Sequence, residues 1–205
     1  MPNLESVEII LFDLGGVLID IHYQATAIEM NKLGFLDFDS NYSQFEQVNL
    51  FNLFETGKIS EQRFINDLKP FMRESVTPNQ IVYAWNAMIG SFPIEKINLL
   101  ERLSLKRVAM LSNTNAIHWK KVMREWDKVS NRSMENYFER IFLSHELGLR
   151  KPDLITFQTV CKELKVEPSK VMFIDDSPQH IEGALHAGFQ THFYTNPHSF
   201  YELFS

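Results

Sequence analysis

Five short runs of this sequence are apolar at consecutive rather than alternating positions: VEIILFD (7–13), RVAMLS (107–112), RIFLS (140–144), KVMFID (170–175) and QTHFYT (190–195). Strands of that kind are buried on both faces, which demands a sheet sandwiched between two helical layers. From the second run onward the spaces between them read as helices: NAIHWKKVMREW, PDLITFQTVCKELK, and SPQHIEGALHAG with Ser177 as N-cap, Pro178 at the first helical position and Gly188 as the stop. Strand and helix in alternation predict an α/β fold, a doubly wound parallel sheet of Rossmann-like type.

The interval between the first two runs breaks that rhythm. It offers helices and no strand, among them ISEQRFINDLKPFM, started by Ser60, and TPNQIVYAWNAMIG, where Thr77, Pro78 and Gln80 spell a capping box. Connections in compact α/β units usually run about 2 to 6 residues, so this stretch predicts an inserted helical cap. The expected division is 1–20 and 94–205 for the α/β core and 21–93 for the cap, with the turn-rich ETGKIS (55–60) between two cap helices. At 205 residues the chain is long enough for both without disulfides. The single cysteine, Cys161, falls inside a helix-like run and reads as a buried, inert thiol.

Charge and hydropathy exclude several classes. A net charge of −6, with no stripe of basic residues interleaved with aromatics, disfavours nucleic acid as a partner. No apolar run approaches the roughly 18 residues of a membrane span, and Glu5 and Glu8 precede or sit in the first apolar run where a secretory signal would carry basic residues. The expectation is a cytoplasmic protein without membrane partners, a monomer or weak dimer acting on a small molecule.

Polar residues of particular types stand at the ends of these strands, where ligands bind in open α/β sheets. Asp13 ends the first; Ser112, Asn113, Thr114 and Asn115 end the second; Lys151 follows the third through HELGLRKPD; Asp175 and Asp176 end the fourth. A carboxylate on an apolar strand needs a partner, because an unpaired buried charge is costly. An aspartate can attack phosphorus and carry the phosphoryl group, dividing one hard step into two. Its approach to a phosphate costs about 4 kcal/mol per pair of unit charges at 4 Å and an effective dielectric near 20, so a divalent cation is close to obligatory. Asp176, with Asp175 directly or through water, would hold Mg²⁺ beside Asp13. Lys151 would offset the remaining phosphoryl charge, and the Ser112 hydroxyl with the Asn113 backbone N–H would grip phosphoryl oxygens at a helix start. Each residue alone has an ordinary reading as turn, cap or solvated loop; four strand ends together do not.

FDLGGVL, LSNTN, RKPD and FIDDS with the following HIEGALHAG resemble the four motifs of the haloacid dehalogenase superfamily, subfamily I, whose members carry a C1-type helical cap just after the first motif. The glycine two residues after the nucleophile, the GKISEQRF turn and the LGLRKPD loop are similar to the bacterial α-D-glucose-1-phosphate phosphatase branch. The resemblance implies a sheet order of 3-2-1-4-5, a Mg²⁺-dependent phosphatase using Asp13 as nucleophile, and a metal site completed by the backbone carbonyl of the residue two beyond it, here Gly15. Most phosphatases of the superfamily have an aspartate there as proton donor. A glycine keeps the carbonyl and loses the acid, a loss commonly worth 10² to 10⁴ in rate.

An anomeric phosphate tolerates that loss best, because its leaving group departs as a hemiacetal alkoxide; a sugar 1-phosphate is therefore the expected substrate. His22, just past the first motif, is the candidate base and phosphate-site residue. Glu55 and Lys58 are candidate specificity residues, Trp119 and Trp126 read as core, and Trp85 with Phe45, Phe51 and Phe54 shapes one face of the cap. The alternatives are a slow or inactive phospho-accepting regulatory protein and, weaker, a phosphomutase, which would need the missing acid, or a haloacid dehalogenase, for which a metal-recruiting carboxylate pair has little use.

Overall fold

The computed structural model describes residues 6–36, 38, 50–103, 106–197, 201, 203 and 204. Five parallel strands, β1 (Ile9–Phe12), β2 (Arg107–Ser112), β3 (Arg140–Leu143), β4 (Val171–Asp175) and β5 (Gln190–Phe193), form one sheet in the order β3-β2-β1-β4-β5. Each side of β1 feeds a separate core. Ile10 and Phe12 join Val108, Met110, Met172 and Ile174 on one face, while Ile9 and Leu11 join Ala109, Leu111, Val171 and Phe173 on the other. The period of two places successive side chains on opposite faces, and a strand apolar at every position satisfies both.

Helices α5 (Ile94–Arg102) and α6 (Ala116–Val129) cover the first face; α8 (Leu154–Leu164) and α9 (Pro178–His186) cover the second, with the single turn α7 (Ser144–Leu147) capping β3. Trp126 is buried among the first cluster and Trp119 packs at its margin. Cys161 is buried, and burial pushes its thiol up to about 11, an unreactive state at neutral pH. The outer strands depart from the expected burial: β5 is intermediate to exposed throughout, and Arg140 of β3 is exposed. They are the sheet's two edges, with a neighbour on one side only.

Between β1 and β2 lie α1 (Tyr23–Lys32), α2 (Leu50–Glu55), α3 (Glu61–Leu68) and α4 (Pro78–Trp85), the inserted helical cap. Ser60 accepts from the Arg63 N–H and starts α3, and the capping box of Thr77 and Gln80 starts α4. Aromatic rings fill the cap's interior: Phe54 stacks on Phe64 at 4.1 Å between centroids, and Phe51 on Trp85 at 5.4 Å. Phe51 and Phe54 are thus inside the cap; Phe45 lies outside the described residues. The cap cluster also takes in Ile117 from α6 of the core.

Two linkers join the layers and pair with one another. Ile21 and Ile89 form an antiparallel bridge, the His22 N–H donates to the Met88 carbonyl at 2.8 Å, and the Gly90 N–H donates to that of Asp20 at 2.9 Å. Among the described residues, no helix is long and apolar enough to cross a membrane.

Candidate active site

The carboxyl ends of β1, β2 and β4 open onto a cavity of about 490 Å³ roofed by the cap. Asp13 follows β1, its N–H donating to the Ile174 carbonyl of β4 at 2.8 Å, and the residue is only 7% exposed. The partner its burial demands is Lys151. That side chain is fully buried, and its Nζ donates to Asp13 Oδ1 and to Asp175 Oδ2, each at 2.6 Å.

Lys151 is held by its backbone. The Asn113 amide donates from Nδ2 to the Lys151 carbonyl and accepts at Oδ1 from the Lys151 N–H, both at 2.9 Å. Asn113 itself sits on a loop fixed by Ser144, whose Oγ accepts from the Thr114 N–H at 2.9 Å and donates to the Thr114 carbonyl at 2.8 Å. Asn115 then caps α6 by accepting from the His118 N–H at 3.0 Å. The loop after β2 is therefore rigid before any ligand arrives, with Ser112, Asn113 and Thr114 lining the cavity.

Asp175 accepts from the Ser177 N–H at 2.8 Å and faces His180 Nδ1 at 3.0 Å. Since a carboxylate only accepts, Nδ1 carries the proton of the His180 ring. Ser177 occupies the N-cap position of α9 as expected, but its hydroxyl makes no capping bond; the Asp175 carboxylate accepts from its backbone instead. Asp176 borders the cavity, and one oxygen from each of Asp13, Asp175 and Asp176 lies within 4.8 Å of the others. Gly16 makes room for this: at φ +77°, a Cβ there would lie 2.0 Å from Asp176 Oδ2.

Electrostatics follow from burial. It pushes Asp13 up to about 7, against the pull of Lys151 and with the push of Asp175. Burial and then the Asp175 charge raise Asp176. Burial opposes the charges of Lys151 and Asp175 too, but for these two the neighbouring opposite charges prevail, raising the lysine and lowering the aspartate, the latter with help from His180. Three carboxylates around one ammonium leave an excess of negative charge, and three oxygen donors this close suit a hard divalent cation. That donor set fits the expected metal.

The remaining expectations divide. Gly15 lines the cavity, where a Cβ would meet Ile21 Cγ1 at 3.2 Å. His22 is corrected: it is solvent-exposed and is not among the residues lining the cavity. Ile21 takes the lining position instead, while His22 sits at the turn into α1. Lys58 is exposed and likewise outside the lining, whereas Glu55 is part of it. Sequence reasoning missed His180, Arg150 and His118. The first two sit within recognised motif stretches, five residues past Asp175 and one before Lys151, a proximity that could have flagged them.

A family model described as haloacid dehalogenase-like hydrolase matches residues 7–188. A D-ribitol-5-phosphate phosphatase of Bacteroides thetaiotaomicron is 28% identical over 185 residues, 89% of each chain. A sesquiterpene phosphatase of Aspergillus oryzae is 25% identical over 186 residues, 87% of this chain and 85% of the other. Among solved structures, a HAD family enzyme of Bacteroides thetaiotaomicron, in complex with magnesium and inorganic phosphate, superposes with a TM-score of 0.89 at 32% identity, covering 97% of this chain and all of that one (100%).

Proposed function

The chain belongs to the haloacid dehalogenase-like hydrolases, and from that premise we propose that it is a magnesium-dependent phosphatase hydrolysing a small phosphomonoester through an aspartyl phosphate on Asp13. The observation that carries this reading is the buried Asp13 carboxylate sharing one ammonium with Asp175 beside a third acid. Packing alone gives no reason to bury that set.

Asp13 Oδ attacks phosphorus, the bond from phosphorus to the leaving oxygen breaks, and the departing alkoxide takes a proton from water. A second water then attacks the phosphorus of the aspartyl phosphate, its P–O bond to Asp13 breaks, and inorganic phosphate leaves with the carboxylate restored. Lys151 aims Asp13 and offsets phosphoryl charge. The Ser112 hydroxyl and Asn113 N–H donate to phosphoryl oxygens, as preorganised donors do where charge develops. Asp13, Asp175, Asp176 and the Gly15 carbonyl would hold the metal. Mg²⁺, when bound, supplies the positive charge that lets a carboxylate and a phosphate approach.

The catalytic domain in this reading comprises 1–20 and 94–205 and the cap 21–93. The cap excludes bulk water from the reacting centre. The partner is a small-molecule phosphate, with a cytoplasmic monomer or weak dimer as the working form. A glycine at position 15 favours a sugar 1-phosphate, whose leaving group needs least protonation. A primary phosphate of a sugar alcohol is the second reading, favoured by the relative named for D-ribitol 5-phosphate.

Steady-state turnover with Mg²⁺ on aldose 1-phosphates, aldose 6-phosphates and D-ribitol 5-phosphate tests both levels. Asp13→Asn is expected to lower kcat by at least about 10³-fold while the thermal transition persists. A burst of one equivalent followed by silence would instead identify a phospho-accepting switch. Equal or faster turnover of the 5- or 6-phosphates removes the leaving-group argument and leaves the phosphatase.

A further inference from the structure

At the cavity wall, Glu55 at the end of cap helix α2 meets Arg150 of the core, Nη1 to Oε2, at 3.0 Å. Both line the cavity that holds Asp13 and Ser112. Their meeting is built into the backbone on each side. Arg150 immediately precedes Lys151, whose backbone Asn113 fixes at two points. On the cap side, Gly57 has φ +65°, and a Cβ there would lie 2.0 Å from the His145 carbonyl oxygen of α7. Only a residue without a side chain lets the cap turn approach the core this closely.

Among the described residues lining the cavity, Arg150 is the one lysine or arginine, against the carboxylates of Asp13, Glu55 and Asp176. A substrate's phosphate belongs at Asp13. A second anionic group on the leaving alcohol would therefore meet one cation, already satisfied by Glu55, inside an acidic cavity. Neutral hydroxyls meet something different: guanidinium N–H donors and a carboxylate that accepts from O–H.

We infer that Glu55 and Arg150 form a charge-neutral hydroxyl clamp, and that Glu55 sets selectivity for uncharged polyol leaving groups over carboxylated ones. This rests on the phosphatase reading above and names the feature of the substrate that the site selects. Glu55 acts by holding Arg150 neutralised; once Glu55 loses its charge, Arg150 becomes a receptor for a carboxylate through paired N–H···O bonds.

The test is kcat/KM for D-ribitol 5-phosphate and 3-phosphoglycerate, measured with Mg²⁺ on the wild type, Glu55→Gln and the double variant Glu55→Gln/Arg150→Gln. The wild type is expected to favour the polyol. In Glu55→Gln the ratio shifts toward 3-phosphoglycerate by at least about tenfold, mostly through KM, and the double variant loses that gain. An unmoved ratio, or a gain that survives removal of Arg150, overturns the clamp. Failure of the wild type to turn over any phosphomonoester defeats the phosphatase reading instead, so the two are separable. Should Glu55→Gln not fold, Arg150→Gln alone is expected to raise KM for D-ribitol 5-phosphate by at least about tenfold; an unchanged KM overturns the proposal.

Discussion

Lys151 shows how much one side chain can organise. It has no exposed surface and bridges two carboxylates from different strands, so neither acid is left uncompensated in a low-dielectric site. Gly16 does the complementary work by absence. Replacing it with alanine imposes a left-handed conformation costing about 1–2 kcal/mol and drives a methyl group into Asp176. Mg²⁺ affinity of Gly16→Ala, measured by calorimetry, is expected to fall about 10–100-fold; retained affinity would remove Asp176 from the metal site. Asp13, Ser112, Asp175 and Asp176 were legible in the sequence because polar residues at the ends of apolar runs must emerge at one end of a parallel sheet, and Lys151 because it stands in the RKPD motif. His180 and Arg150 were not, since their types are ordinary and their positions depend on which strands become neighbours. His22 misled for a related reason: chain proximity to Asp13 says nothing about the side to which a residue faces.

At the scale of elements, the joint between cap and core is a stack of two rings. Trp85, ending α4, lies parallel to His118 of α6 at 5.0 Å, and the Trp85 carbonyl accepts from His118 Nε2 at 3.0 Å and from Thr26 Oγ1 at 3.1 Å. A carbonyl only accepts, so Nε2 carries the proton, and Nδ1 accepts from Asn115 Nδ2 at 3.1 Å. Burial holds His118 down to about 4, against the opposing pull of the Trp85 carbonyl. Unfolded chains protonate the same ring near 6.5, so between those values the unfolded state binds more protons and stability falls as pH falls, by up to about 3 kcal/mol. Denaturant titrations from pH 7 to 4 should show a shallower decline for His118→Gln than for the wild type; identical slopes would mean that this joint does not titrate. Helix starts were legible at Ser60 and Thr77 because capping is local chemistry. α5 escaped, because its start lacks a side-chain cap: Pro93 occupies the N-cap position. That the cap cluster borrows Ile117 from the core could not be read either, since a lone isoleucine on an amphipathic helix does not announce which layer it enters.

For the whole molecule, the cluster of acids makes metal binding and folding one equilibrium. At a Mg²⁺ concentration a hundredfold above Kd the ion adds about 2.7 kcal/mol, which in a chain of this size raises Tm by roughly 5–10 °C. A thermal scan with Mg²⁺ against one with chelator measures this, and coincident transitions would contradict a native divalent site. The parallel fold class was legible because runs apolar at every position tolerate few other architectures. Strand order was not, as apolar runs carry no address, and it came from the motif resemblance. That order, with β1 in the middle between β2 and β4, has a consequence for synthesis. β1 leaves the ribosome before either of its neighbours is made, and the lysine that pairs with the aspartate after it is translated 138 positions later, about 7–28 s at ordinary elongation rates. The nascent polypeptide thus carries this aspartate well before the residues that would arm it, Lys151, Asp175 and Asp176, have been made.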